Sequence, residues 1–198
     1  MTKKNKITLF DLDKTLITCD SIKILVFYLL CRDFYKFLFK IPSLIIVSIR
    51  HLLSNSEHKT DTKSQFFAII LKNYSKDEIK KFSSEFAAYI FLKFKNLKIY
   101  RELLKANKKG IETYIITASA DFYCKSLAKL FGTKLISTKI NLNKDLGKII
   151  GKNCYGIEKK KRALKEIKKF KKKYSTFYTD CISDKPLMNI CSKSYFVK

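Results

Sequence analysis

The sequence predicts an α/β protein: a parallel sheet flanked by helices, with an all-helical subdomain inserted after the first strand. Three observations carry this. A short apolar run, Ile7-Thr8-Leu9-Phe10, lies near the start of the chain and ends in two carboxylates, Asp11 and Asp13. Beyond residue 99 strand-like and helix-like segments alternate, the pattern of parallel strands joined by crossover helices. Between the two lies a stretch rich in Leu, Ile, Phe and Tyr at helical spacing.

The first strand is short, apolar and buried. Side chains repeat every two residues in a strand, so Asp11 and Asp13 are expected to point the same way. Two acids side by side at a strand end repel unless a cation neutralises them, and a hard, oxygen-seeking ion such as Mg²⁺ suits them. Residues 22–53, interrupted by Lys23, Arg32, Lys36, Lys40 and Arg50, predict two or three helices broken near Pro42. Residues 54–63 read as a polar loop. Helices follow over 65–73 and 76–94, the second opened by the capping-box sequence Ser75-Lys76-Asp77-Glu78.

The α/β part begins with a helix over 100–109, stopped by Gly110. A strand over 113–116 leads into Thr117-Ala118-Ser119, then a helix over 121–131 ended by Gly132. Residues 135–137 read as a strand, and Gly147 and Gly151 punctuate a hairpin. A very basic helix is expected over 157–174, a strand over 176–179 that ends in Asp180-Cys181-Ile182-Ser183-Asp184, and a last strand over 195–197. The expected division is a core of residues 1–20 and 94–198, with 21–93 as a helical insertion.

Composition narrows the partners. At 198 residues, 46% of them hydrophobic, the chain is long and apolar enough for a real core and is not a disordered segment. The formal charge of +25 points to an anionic partner: nucleic acid, a membrane surface or a phosphorylated substrate. Nearly all of it is lysine, with arginine only at Arg32, Arg50, Arg101 and Arg162. Nucleic-acid readers rely on arginine for bidentate contacts, so nucleic acid is disfavoured and much of the lysine reads as solvated surface. The six cysteines lack CxxC spacing and, with two histidines, give no zinc pattern. Buried free thiols in a reducing, cytoplasmic setting account for them. The longest uncharged apolar runs, 24–31 and 41–48, are far short of a membrane span.

The groups with chemistry all sit at strand ends. Asp11 and Asp13 follow one strand, Thr117 and Ser119 a second, Asp180 and Asp184 a third. Ligands of open α/β sheets bind at the carboxyl ends of the strands, so these groups should converge. Taken singly, Thr117-Ala118-Ser119 either contacts a ligand or caps the next helix, and Asp180 and Asp184 are either ligands or turn formers.

The order DLDKT, a strand ending in Thr-Ala-Ser, a lysine near a helix start, then DxxxD resembles the haloacid dehalogenase superfamily of phosphohydrolases. The helical insertion after the first motif resembles the subgroup with phosphoserine phosphatase and the bacterial phosphatidylglycerophosphatase C type. The resemblance covers essentially the whole chain and implies a Rossmann-like core, Mg²⁺ and an aspartyl-phosphate intermediate. It makes Asp11 the nucleophile and Asp13 the general acid–base, whose backbone carbonyl also reaches the metal. Thr15 supports the loop, and the Thr117 hydroxyl and Ala118 N–H bind phosphate. Asp180 ligates Mg²⁺, with Asp184 a further carboxylate beside it.

The third motif selects Lys159 within Cys154-Tyr155-Gly156-Ile157-Glu158-Lys159, but Lys160 and Lys161 follow at once, and Lys160 lies one turn before Leu164 on the expected inward face. Three departures stand out: Thr179 replaces a usual glycine, Lys14 holds a position where glycine is frequent, and Asp20 stands where phosphoserine phosphatases carry a substrate-recognising glutamate. Asp20 either reads the substrate or caps the next helix. The expected function is a Mg²⁺-dependent phosphatase of a small soluble phosphomonoester (an amino-alcohol, amino acid or sugar phosphate). The alternatives are a lipid phosphatase of the phosphatidylglycerophosphatase C type, in peripheral contact with an anionic membrane through residues 27–53, and a basic nucleic-acid-binding protein using 159–173.

Overall fold

In the computed structural model, which describes residues 6–55, 58–168, 170 and 174–197, β1 (Ile7–Phe10) is the centre of a five-stranded sheet. All four of its residues are buried. It pairs in parallel with β2 (Glu112–Ala120) on one side and β4 (Ser175–Thr179) on the other. β3 (Lys134–Thr138) and β5 (Lys193–Phe196) complete the order β3-β2-β1-β4-β5, every pairing parallel. All five carboxyl ends therefore lie along one edge. This is the Rossmann-like parallel sheet that the sequence predicts, with its helical insertion after the first strand.

Alternation along β1 divides the core. Ile7 and Leu9 join Tyr114, Ile116 and Phe177 on one face, packed by Ala163 and Ile167 and by Leu187. Phe10 and Ile115 face the other cluster, with Leu103, Leu127 and Phe131. Those residues come from α6 (Leu97–Lys108) and α7 (Asp121–Phe131); Ala163 comes from α8 (Ile157–Glu166) and Leu187 from the short α9 (Lys185–Met188).

Among the described residues, five helices form the insertion: α1 (Ser21–Arg32), α2 (Phe34–Leu38), α3 (Ile41–Leu53), α4 (Lys59–Leu71) and α5 (Lys76–Phe94). In α5 the capping box closes between Ser75 and Glu78, and Ile79, Phe82, Phe86 and Ile90 recur on one buried face. That face packs on α7, with the Phe86 and Tyr123 ring centroids 5.4 Å apart. The chain enters and leaves the insertion side by side, through Thr18 N–H to Phe94 O (2.8 Å) and Asn96 N–H to Leu16 O (2.8 Å). A second tie is the loop after β3, bridged antiparallel at Ile140 and Ile149, which lies directly on α4. Ile149 N–H donates to Ser64 Oγ (3.1 Å), and a Cβ on Gly147 would stand 2.2 Å from the backbone nitrogen of Ala68.

Several expectations shift. The polar loop expected through residue 63 becomes helix from Lys59, because the side chains of Thr62, Lys63 and Ser64 find partners that a sequence window does not contain. The basic helix ends at Glu166, eight residues before its expected end at residue 174, because Ile167 turns out of helical geometry (φ −97°, ψ 89°) to bury its side chain. The rest of that expected helix falls partly outside the described residues. Its inward face carries Lys159 and Ala163, whereas Leu164 is half exposed, so the inward placement of Leu164 is corrected. The thiols also divide: Cys124, Cys154 and Cys191 are buried, but Cys31 is exposed and Cys19 and Cys181 are only partly covered.

Gly147 has φ +86° and no room for a side chain. Replacing it by alanine should destabilise the fold by about 1–3 kcal/mol, read as a lower urea midpoint.

Candidate active site

At the end of β1 the chain enters a tight loop. Asp11 is buried; its N–H donates to Tyr178 O (2.9 Å), and its Oδ1 accepts from Leu12 N–H (2.8 Å). Lys14 takes a left-handed backbone (φ 53°, ψ 10°) and its N–H donates to Cys19 O (3.1 Å). That conformation explains why glycine is at home at this position, and a lysine there costs roughly 1 kcal/mol.

Two strand ends meet at one buried cation. Lys159 Nζ lies 2.9 Å from Asp11 Oδ1 and 2.7 Å from Asp184 Oδ2. Only 2% of Lys159 is exposed, against an exposed Lys161 and a half-buried Lys160, so one lysine of the three is brought to the carboxylates. Burial alone would lower its pKa; Asp11 and Asp184 together outweigh that and raise it, so it stays charged. Burial pushes Asp11 up to about 7, against the pull of Lys159 in the other direction, while the charge of Asp184 adds to the rise. Thr179, in place of glycine, donates its hydroxyl to Asp184 Oδ2 (2.8 Å). This substitution gives the carboxylate a second fixed donor.

Asp13 turns to different partners. Its Oδ1 accepts from Ser21 N–H (2.7 Å) and its Oδ2 from the Ser119 hydroxyl (2.5 Å). Ser21 Oγ then contacts Ser119 Oγ (3.1 Å) and Tyr123 OH (2.9 Å). Burial raises the Asp13 pKa, and the hydroxyl and amide donors hold it down. Burial thus makes this carboxyl hold a proton more firmly than an exposed one would.

The β2–β3 register shifts between Ile116 and Ala120, which lifts Thr117-Ala118-Ser119 out of regular pairing. Thr117 Oγ1 accepts from Ser119 N–H (3.0 Å), and Ala118 O accepts from Thr138 Oγ1 (2.8 Å) and from Lys63 Nζ (2.8 Å). The three residues do not cap α7, whose N-cap is Ala120 with no side-chain bond. Thr15 Oγ1 donates to Asp180 Oδ1 (3.4 Å). Asp20 caps α1, accepting from Ile22 N–H (3.2 Å) and Lys23 N–H (3.3 Å).

Sequence reasoning passed over Lys63. It comes from α4, is mostly covered, and also donates to Asn153 Oδ1 (3.1 Å). Burial lowers its pKa to about 8, with Asp13 as the first opposing influence. No local signal marks it among so many lysines. Ser21 and Tyr123 were equally invisible, since their roles exist only across the fold.

Among the described residues, no three or more His, Cys, Asp or Glu side chains gather into a metal-binding cluster. Of the four carboxylates expected around Mg²⁺, Asp11 and Asp184 share Lys159, Asp13 bonds Ser21 and Ser119, and Asp180 accepts from Thr15. The donors present still fit a hard cation. All are oxygens, and Asp184 Oδ1 is buried with no hydrogen-bond partner, an atom that a cation or its bound water would satisfy.

With this geometry in view, the haloacid dehalogenase-like hydrolase model matches residues 8–189, and the chain belongs to that family. No curated protein matches it. Among solved structures, a protein of unknown function from Bordetella pertussis Tohama I is 21% identical, with TM-score 0.77, over 96% of this chain and 89% of the other. A phosphoserine phosphohydrolase-like protein from Francisella tularensis subsp. tularensis SCHU S4 is 17% identical (TM-score 0.60; 96% and 85% covered). A substrate-bound phosphoserine phosphatase is 14% identical (TM-score 0.63; 98% and 86% covered). At these identities the likenesses establish the fold.

Lys63 yields a pH prediction. Its folded pKa lies below the ordinary 10.5, so the unfolded chain binds more protons and stability rises with pH from about 8 to 10.5. Relative to Lys63→Met, the unfolding free energy of the native protein should climb by roughly 3 kcal/mol across that window, measured by urea unfolding at a series of pH values.

Proposed function

We propose that the protein is a Mg²⁺-dependent phosphatase of a small soluble phosphomonoester, working through an aspartyl-phosphate at Asp11. In this reading residues 1–20 and 94–198 are the catalytic core and 21–93 the cap, as in the phosphoserine phosphatase-like subgroup. The observation that carries it is the Lys159 ammonium, buried between Asp11 and Asp184 at the sheet's carboxyl edge. A carboxylate nucleophile cannot approach a phosphate dianion unscreened, and a fixed buried cation beside it supplies part of the screening.

An Asp11 carboxylate oxygen attacks phosphorus as the ester P–O bond breaks, and Asp13 gives its proton to the leaving oxygen. Asp13, now a carboxylate, takes a proton from the water that attacks the phosphorus, releasing phosphate and freeing Asp11. The Thr117 hydroxyl and Ala118 N–H hold phosphoryl oxygens, while Ser21, Ser119 and Thr15 keep the carboxyls and loop in place. A divalent cation held by Asp11, the Asp13 backbone carbonyl and Asp180, with Asp184 beside it, would neutralise charge on the phosphoryl group. Asp20 is engaged as a helix cap, which argues against a direct role in reading the substrate, and Lys63 is the cap's cation facing the same loop. A second reading, a lipid phosphatase of the phosphatidylglycerophosphatase C type, draws on the exposed apolar face of α3.

Phosphate release should be measured with Mg²⁺ on phosphoamino acids, amino-alcohol phosphates, sugar phosphates and micellar phosphatidylglycerophosphate. Turnover of a soluble ester is expected, falling about a thousandfold or more in Asp11→Asn and roughly a hundredfold or more in Lys159→Met. Turnover of the lipid alone would move the assignment to the second reading. Mg²⁺ at a hundred times its Kd should stabilise the fold by about 2.7 kcal/mol, read as a rise in Tm, and Asp180→Asn should lose most of that rise.

A further inference from the structure

The insertion carries an apolar surface that its own packing does not use. α3 is apolar on two opposite sides. Leu44 and Val47 are buried. Ile45, Ile46, Ile49, Leu52 and Leu53 are all exposed, from 51% to 81%. At about 100° per residue these five fall within an arc of roughly 120°, centred opposite the buried pair. One helix earlier, Tyr35 and Phe39 are more than 80% exposed. Scattered exposed aliphatics are ordinary on a protein surface; a stripe along one helix beside two exposed aromatics marks an interaction site.

Charge selects the partner. Residues 21–53 carry Lys23, Arg32, Lys36, Lys40 and Arg50 against one carboxylate, Asp33, which is held by Arg32 (3.8 Å) and the Tyr74 hydroxyl (3.0 Å). Beside α2 a cleft of about 300 Å³ is lined by Lys36, Lys40 and Lys72, together with Tyr35 and Phe39. Lys40 is committed to α4, donating to Ile70 O (3.0 Å) and Lys72 O (2.6 Å), and Lys36 pairs with Glu78 (2.9 Å); among the described residues the Lys72 ammonium is the cleft's unpaired cation. Two copies meeting on this face would bring like charges together. An anionic lipid surface instead offers hydrocarbon to the aliphatic stripe and phosphate to the exposed Lys72 and Arg50.

We propose that α2 and α3 dock the protein peripherally on an anionic bilayer, the aliphatic stripe of α3 entering the interface. Among the described residues no helix is long and apolar enough to cross a membrane, which suits an interfacial attachment. The docking helix also connects to the site. His51, near its end, bonds Thr62 (2.7 Å), and the next residue, Lys63, reaches Ala118 O (2.8 Å). Docking would therefore press on the part of the cap that touches the loop Thr117-Ala118-Ser119. The inference does not depend on which ester is cleaved.

Flotation with vesicles tests it, using phosphatidylcholine alone and an equal mixture of phosphatidylcholine and phosphatidylglycerol. The full chain should float with the mixed vesicles and bind phosphatidylcholine at least about tenfold more weakly. Combining Ile46→Glu, Ile49→Glu and Leu53→Glu should cut partitioning at least about tenfold, with the circular dichroism spectrum and release of phosphate from a soluble ester unchanged. Tyr35→Ala with Phe39→Ala gives a second variant, expected to weaken binding in the same direction. Absence of flotation, equal binding to both vesicles, or equal binding by both variants and the native chain would each overturn the proposal. So would a dimer in vesicle-free solution that the triple variant abolishes, since the occupant would then be a second copy.

Discussion

A lysine between two carboxylates, all three nearly sealed from water, is the constraint on which the site depends. Lys159 offsets the repulsion of Asp11 and Asp184, which the ends of β1 and β4 place together. Burying two acids without a cation would cost several kcal/mol each. The pair is tolerable because α8 begins just after Gly156, over the same edge, and aims its first turn inward. The parallel sheet makes this possible, since only a sheet with every carboxyl end on one side collects three strand ends at one point.

The same edge separates two carboxylates that are neighbours in sequence. Asp11 ends beside a buried ammonium and Asp13 beside two hydroxyls and an amide. Asp11 has a fixed cation beside it, whereas at Asp13 burial raises the pKa and the hydroxyl and amide donors hold it down. Two residues of the same type are thus set apart by their surroundings. Lys14, directly after the second acid, takes the left-handed backbone that turns the chain toward Thr15.

Specific polar and steric contacts tie the insertion to the core beside a shared apolar cluster. Gly147 lies against the backbone of Ala68, Ser64 accepts from Ile149, and Lys63 crosses to Ala118 and Asn153. All three originate on α4, so this helix joins cap and site, while α5 supplies the broad apolar contact with α7. α3 lies outside both arrangements, and its outward stripe is free for a partner.

By itself the sequence determined the local and periodic features. Alternation in β1, the capping box at Ser75, the glycine stop at Gly132, and acids or hydroxyls at three strand ends each depend on neighbours within a few residues. Their order was enough to give the parallel sheet, the helical insertion and the family. Only the tertiary structure decided which of three adjacent lysines is buried, that Asp20 is used as a cap, that Thr179 holds Asp184, and that Lys63 belongs to a helix facing the site. Each of those outcomes rests on a partner far away in the chain. Burial and charge pairing at such positions are properties of the assembled fold, and no window of sequence contains them.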